Sequence, residues 1–280
     1  MRLLTLKTVL VAMDLDDASL VALSTGKQLA EAAGAKLHVL HVSDAADAAA
    51  QLQSALERAK LQPGEASVHV VGGDPGRVIS TMGDQIGADV IVLGPRRKQE
   101  HRRAFGSTAL AAVTNATAPC LVMAQRLRLP LKCVIVALDL SDTSRGALVT
   151  GLAWASALRK QGGDADATKL IGLYVQSTQR DESSSARKLD GELKRIHRDA
   201  GEWASVTIEE ATAINPSAAA GIAEYANANR ADLVVLGTRG LGLDGTKRLG
   251  SVSAAVTLQL ELPTLLVPLA VWAAHSSEAA

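Results

Sequence analysis

Short apolar runs alternate along this chain with longer amphipathic stretches, and the whole alternation occurs twice. Thr8-Val-Leu-Val-Ala-Met13 and Leu37-His-Val-Leu-His-Val42 have the length and β-branched content of strands, with a helical stretch at 18–33 between them. Ser67–Val71 predicts a third strand, Val90-Ile-Val-Leu93 a fourth and Leu121-Val-Met-Ala124 a fifth. From Val134 the order repeats. Strands are predicted at Val134–Leu138, Leu170–Val175, roughly Ser205–Glu209, Asp232–Leu236 and Leu265–Val267, with helical stretches at 144–160, 181–200 and 251–260. Each copy reads βαβαβαβαβ.

Details of the repeat exclude coincidence. Gly87-Ala-Asp-Val-Ile-Val-Leu-Gly94 is matched by Arg230-Ala-Asp-Leu-Val-Val-Leu-Gly237, and in both copies a Gly-Ser pair opens the last helix. Pro119 stands 13 residues after Gly106, and Pro263 stands 13 after Gly250. Apolar strands separated by amphipathic helices imply parallel sheets covered on both faces. The predicted fold class is therefore α/β: two tandem, doubly wound, parallel five-stranded sheets flanked by helices. The first unit spans 1–127 and the second 131–271, with a linker stopped by Pro130 and a disordered tail at 272–280. The charged stretch 181–200 predicts a solvated surface helix.

One segment carries most of the chemistry. The fourth strand of the second copy ends at Gly237; Gly240 follows, and Gly250-Ser251-Val252-Ser253 begins a helix. Glycines permit close backbone approach to a ligand, and the unpaired N–H groups of a helix's first turn attract anions. Ser251 and Ser253 add hydroxyls, and Ser251 is also a favoured helix N-cap. A loop that only turned the chain would not need this set, so phosphate binding is the expected role. In doubly wound sheets ligands sit beyond the strands' carboxyl ends where the winding reverses. Asp139 and Gly237 both close strands there, and share one crevice if the first and fourth strands are neighbours.

Composition narrows the field. Lys+Arg and Asp+Glu both number 29, so nothing drives general nucleic-acid binding. No run approaches the ~20 apolar residues of a membrane span, and the N-terminus leads into a strand rather than a cleavable signal. Cys120 and Cys133 are read as buried, reduced thiols of a cytoplasmic protein, and the histidines and cysteines show no metal-ligand spacing. A P-loop is absent, the first strand lacks the glycines of a dinucleotide fold, and there is no kinase signature set.

These residues resemble the universal stress protein family in its tandem form, over residues 5–270. The pattern Gly-x2-Gly-x9-Gly-Ser is met by Gly237, Gly240, Gly250 and Ser251, with Asp139, Pro263 and Gly73-Asp-Pro75 also fitting. The resemblance implies an adenine-nucleotide alpha-hydrolase-like fold and an ATP site in the second copy, with Mg²⁺ or Mn²⁺ accompanying the phosphates. It implies that Asp139 and the Ala137 backbone lie by the nucleoside and that the Val175 backbone reads adenine. It further implies that Gly237 and Gly240 approach ribose and phosphates, and that Gly250, Ser251, Val252 and Ser253 cradle the phosphates. It also implies pairing of last strands between domains, here within one chain as a pseudo-dimer, and leaves a homodimer of whole chains open.

The first copy departs from the pattern. Arg97 stands for Gly240, Ala109 for Ser253, and the loop is one residue shorter. Its loop 95–103 carries five Lys/Arg in nine residues. That loop reads as a solvated cationic segment over a degenerate site, as an alternative grip on a nucleotide, or as a contact for an acidic protein. For the whole chain the leading expectation is an ATP-binding regulatory protein with an unknown protein partner. A slow ATP hydrolase, with Asp244 the sole carboxylate in 237–253, and a nucleotide-independent scaffold are the alternatives.

Overall fold

The first apolar run forms β1 (Thr8–Met13), and its counterpart in the second copy forms β6 (Cys133–Ala137). The computed structural model describes residues 6–94, 106–159, 168–177, 191, 206–238 and 249–278. The first unit continues through α1 (Asp17–Ala33), β2 (Lys36–Val42), α2 (Ala48–Arg58), β3 (Ser67–Val71), α3 (Pro75–Ile86), β4 (Val90–Leu93), α4 (Ser107–Asn115) and β5 (Cys120–Val122). The second continues through α5 (Asp142–Ala157), β7 (Thr168–Gln176), β8 (Val206–Ile214), α6 (Ala218–Ala228), β9 (Leu233–Gly237), α7 (Ser251–Gln259), β10 (Thr264–Val267) and α8 (Leu269–Glu278). The helix expected at 181–200 lies outside the described residues, apart from Gly191.

The ten strands of the described residues form one sheet, ordered β3-β2-β1-β4-β5-β10-β9-β6-β7-β8. Within each unit the order is that of a doubly wound sheet and every pairing is parallel. The units meet where β5 and β10 pair antiparallel, Thr264 opposite Val122 and Leu266 opposite Cys120. Each of these short strands would otherwise leave an apolar edge in water. Leu121, Leu265 and Leu266 are fully buried at the join, and each contributes about 2 kcal/mol relative to exposure. Because the join is antiparallel, the carboxyl ends of the two units' strands face opposite ends of the common sheet.

Two apolar layers cover the sheet. One holds Val9, Val11 and Val136 with residues of α1, α2 and α5; the other holds Leu10, Ile91 and Ile135 with residues of α3, α4, α6 and α7. This is strand alternation feeding both faces at once. The repeated Ala-Asp before the fourth strands also has a physical reason. The Asp89 carboxylate accepts from the Lys7 and Thr8 amides at 2.7 and 2.8 Å, and Asp232 from Lys132 and Cys133 at 2.8 and 3.0 Å, so each ties the start of its unit's first strand. Gly26 and Gly151 are a repeat that the sequence reading overlooked. A side chain at Gly26 would collide with Val11, and one at Gly151 would lie 2.7 Å from Val136. Each glycine lets its unit's first helix lie flat on the first strand.

Two expectations are corrected. The third strand of the second unit runs to Ile214 because β8 pairs with β7 along its whole length, from Thr168↔Val206 to Gln176↔Ile214. The tail expected to be disordered from 272 is helical to Glu278, beyond the boundary drawn at 271. Val271 is buried, and Trp272 lies 3.2 Å from where a Cβ of Gly146 would stand, so α8 covers α5 with its apolar side chains.

Candidate functional site

The winding of the second unit reverses between β6 and β9, which are hydrogen-bonded neighbours with Val136 opposite Val235. Asp139 follows β6 and Gly237 ends β9, so the two stand side by side at the same edge of the sheet. Asp139 Oδ1 accepts from the Ser141 amide at 3.0 Å and from Ser141 Oγ at 2.5 Å. Ser141 Oγ in turn accepts from the Ser144 amide and caps α5. Leu140, between them, is left-handed at φ 64°, and Leu15 of the first unit matches it at φ 60°. Such a conformation costs a leucine about 1–2 kcal/mol, and both units keep it at the turn that aims this aspartate.

Val175 sits where an exposed peptide edge is created. β6 pairs with β7 only as far as Ala137 opposite Leu173, and Leu138 N–H donates to the Leu173 carbonyl at 2.8 Å. Alternate residues of a parallel strand direct their peptide groups to the same neighbour. Val175, two residues after Leu173, therefore presents its N–H and C=O on the β6 side, beyond the end of β6 and level with Asp139. Ala137 is the last paired residue of β6 and stands directly below.

Where β9 passes to α7, hydrogen bonds fix the geometry. Ser253 Oγ donates to the Gly237 carbonyl at 2.6 Å, and Gly250 N–H donates to the Thr238 carbonyl at 2.7 Å. Gly237 has no room for a side chain: a Cβ would lie 2.9 Å from three atoms of Thr143 in the first turn of α5. The helical ladder of α7 begins with Ala254 N–H on the Gly250 carbonyl, so the amides of Ser251, Val252 and Ser253 precede it. Two sequence-based roles change here. The N-cap is Gly250, without a side-chain cap bond, and Ser251 is the exposed first helical residue. The Ser253 hydroxyl is buried and its proton goes to Gly237, leaving its amide as the donor it can offer an anion. Gly240, Asp244, Lys247 and Arg248 lie outside the described residues, as do Arg97 and the rest of the basic loop.

Gln176 was not singled out from the sequence. Its side chain is 5% exposed, yet among the described residues neither Nε2 nor Oε1 has a hydrogen-bond partner. An unpaired buried polar group costs roughly 1–3 kcal/mol. A lone glutamine after an apolar strand carries no sequence signal; only the strand's register reveals it.

The first unit has the same framework with different electrostatics. Gly106 opens α4 as Gly250 opens α7, and Leu110 N–H begins its ladder on the Gly106 carbonyl. Ala109 provides no hydroxyl to tie α4 to Gly94. The helices following the first and third strands are capped there by carboxylates, Asp16 to the Ser19 amide and Asp74 to the Arg77 amide. In the second unit hydroxyls do the same work, Ser141 to Ser144 and Ser217 to Ala220. Both kinds of residue cap a helix well, but a hydroxyl carries no charge, so Ser141 spares the edge beyond β6 the carboxylate that Asp16 places beyond β1.

Neither thiol is poised for chemistry. Burial pushes Cys120 up to about 12, and burial with the nearby Asp232 charge raises Cys133. Among the described residues no cluster of three His, Cys, Asp or Glu side chains can hold a metal ion, and no helix is long and apolar enough to cross a membrane.

A twice-used, doubly wound α/β unit with a glycine-edged crevice defines the class of protein. The model of the universal stress protein family matches residues 5–124 and again 131–268, and this chain belongs to that family in its tandem two-domain form. It is 32% identical over 77 residues to universal stress protein G of Salmonella typhimurium, a stretch that is 28% of this chain and 54% of that protein. The chain thus spans about half the length of the curated relatives that it matches first. Among solved structures, it is similar to a functionally unknown protein from Pseudomonas aeruginosa, with TM-score 0.70, 16% identity and coverage of 99% and 98% of the two chains. A universal stress protein from Archaeoglobus fulgidus gives TM-score 0.68 at 17% identity, covering 94% and 98%. These likenesses establish the fold, two doubly wound α/β units in one chain.

Proposed function

We propose that this chain is an ATP-binding regulatory protein whose second unit, within residues 131–271, holds the nucleotide. The observation that carries this reading is the junction of β9 and α7. Ser253 Oγ on Gly237 and Gly250 N–H on Thr238 hold the uncapped first turn of α7 beside the end of β9, at the winding reversal. Phosphates there would accept from the Ser251, Val252 and Ser253 amides and the Ser251 hydroxyl, in the favourable field of the helix N-terminus. Gly240 belongs to the same proposed set. The nucleoside would lie toward Asp139 and Ala137, with adenine against the Val175 peptide groups.

A divalent ion, Mg²⁺ or Mn²⁺, would come with the phosphates and supply charge neutralisation. Occupancy would order the glycine loop and alter the surface offered to a protein partner. The first unit would not bind ATP in this manner. Asp16, the first unit's counterpart of Ser141, places a further carboxylate beyond β1, and that charge disfavours phosphate.

Calorimetric titration of the nucleotide-stripped chain with Mg-ATP tests the reading. One site per chain is expected, lost in Gly240→Arg and weakened in Ser141→Asp, which keeps a helix cap but restores the first unit's charge. Two sites, or one that persists in Gly240→Arg, would refute the assignment to the second unit.

A further inference from the structure

Gln176, the last residue of β7, brings a carboxamide to the proposed site that nothing described within the chain explains. The side chain is buried, and among the described residues both its nitrogen and its oxygen lack partners. A carboxamide carries two donors and an acceptor, and native structures seldom leave such a group unpaired unless a ligand, water or function accounts for it. Its position is fixed by register. Leu173 is level with Ala137, so Gln176 is level with Leu140, the left-handed residue of the turn that follows Asp139. Strand alternation puts its side chain on the α5 face with Leu170 and Tyr174. The preceding residue, Val175, offers its peptide groups across the same strand end.

The first unit supplies an internal comparison. The residue matching Gln176 there is Ser43, whose Oγ accepts from the Ala45 amide at 3.2 Å. That position is satisfied locally in the unit with carboxylate caps, and left unsatisfied in the unit with hydroxyl caps.

We propose that the Gln176 carboxamide is a base-reading group that selects adenine over other purines; this rests on the reading of the crevice as an adenine-nucleotide site. Adenine presents its N6 amino donor beside the N7 acceptor, and a carboxamide matches both, with Oε1 accepting from N6–H and Nε2–H donating to N7. Guanine and hypoxanthine present O6 and N7, two acceptors, which sets Oε1 against O6. The Val175 N–H and C=O remain for the N1 side of the base. Adenine would therefore satisfy both ends of an amide that the other purines leave half-paired, a discrimination of about tenfold or more.

The test uses the full chain as wild type, Gln176→Met and Gln176→Leu, titrated with Mg-ATP, Mg-ITP and Mg-GTP at one salt concentration. The wild type is expected to prefer ATP over ITP, and in both variants that preference is expected to shrink by about tenfold or more, leaving what the Val175 peptide groups supply. Ligand-free variants are expected to unfold at or above the wild-type midpoint, because an unpaired buried amide has been removed. An ATP-over-ITP ratio unchanged in folded Gln176→Met overturns the proposal while leaving the nucleotide site intact. A lowered midpoint in both variants also counts against it, since Gln176 would then be held by the protein itself. A wild type that binds no purine triphosphate removes the site reading and this proposal together.

Discussion

Gly237 and Gly94 occupy the same place in the two units, yet the structure makes opposite demands on them. A Cβ on Gly237 would stand 2.9 Å from the carbonyl carbon, Cβ and Cγ2 of Thr143, whereas one on Gly94 would find Ser19 Cα at 3.6 Å. The first contact is well inside ordinary packing distance and partly against backbone, so relief requires the first turn of α5 to move off β9. Overpacking of that kind costs about 1–3 kcal/mol. The second contact is ordinary van der Waals distance, so Gly94→Ala gains only the roughly 0.4–1 kcal/mol from a less flexible unfolded chain. Because the unfolded-chain gain is common to both substitutions, Gly237→Ala is expected to be less stable than Gly94→Ala by the overpacking cost, about 1–3 kcal/mol. Urea unfolding separates the units, because all three tryptophans, Trp154, Trp203 and Trp272, lie in the second. Tryptophan fluorescence follows that unit, and far-ultraviolet circular dichroism follows both. The fluorescence midpoint should fall in Gly237→Ala and hold in Gly94→Ala. Equal midpoints for the two variants would refute the packing argument, and the glycine at β9 would then need a ligand as its sole reason.

Three further outcomes are expected. Ser253→Ala removes the 2.6 Å bond to Gly237 and should cost about 1 kcal/mol of second-unit stability by urea unfolding, while loosening ATP binding because α7 is no longer tied to β9. Both cysteines are buried, with Cys120 pushed up to about 12 and Cys133 raised, so a thiol reagent at neutral pH should label neither in the native protein and both after unfolding. Burial, then the His69 and Lys36 charges, hold the His38 imidazole below 6.5, and its ring stacks on His69 with Nδ1 and Nε2 3.0 Å apart. Below 6.5 the unfolded chain binds the proton more readily, so this contribution is present above 6.5 and lost as pH falls through the lower folded value. Acid unfolding of His69→Leu should show a shallower loss in that window, and an unchanged profile would refute the coupling.

Much of this protein was legible in its sequence because its information is periodic. Apolar strands such as Val90–Leu93 and Leu233–Gly237, written twice with equal spacing to Pro119 and Pro263, determine a doubly wound unit and its duplication. The switch-point location of Asp139 and Gly237 follows from the same periodicity, since strand order in such sheets is tightly restricted. Other features depend on contacts between distant residues. The antiparallel register of β5 on β10 is set by which side chains bury together, and three- or four-residue strands carry too little pattern to announce it. The helical tail needed Gly146 as a seat for Trp272, a contact 126 positions apart in sequence. Whether Ser253 points at a ligand or at Gly237 is a matter of side-chain geometry that residue identity leaves open. Gln176 is the clearest case. As a residue type it says nothing, and only the end of β6 opposite β7 turns it into a buried amide, without a partner among the described residues, beside the proposed site. Sequence determined the elements and the class of crevice; tertiary packing decided which groups are spent inside the fold and which remain for a ligand.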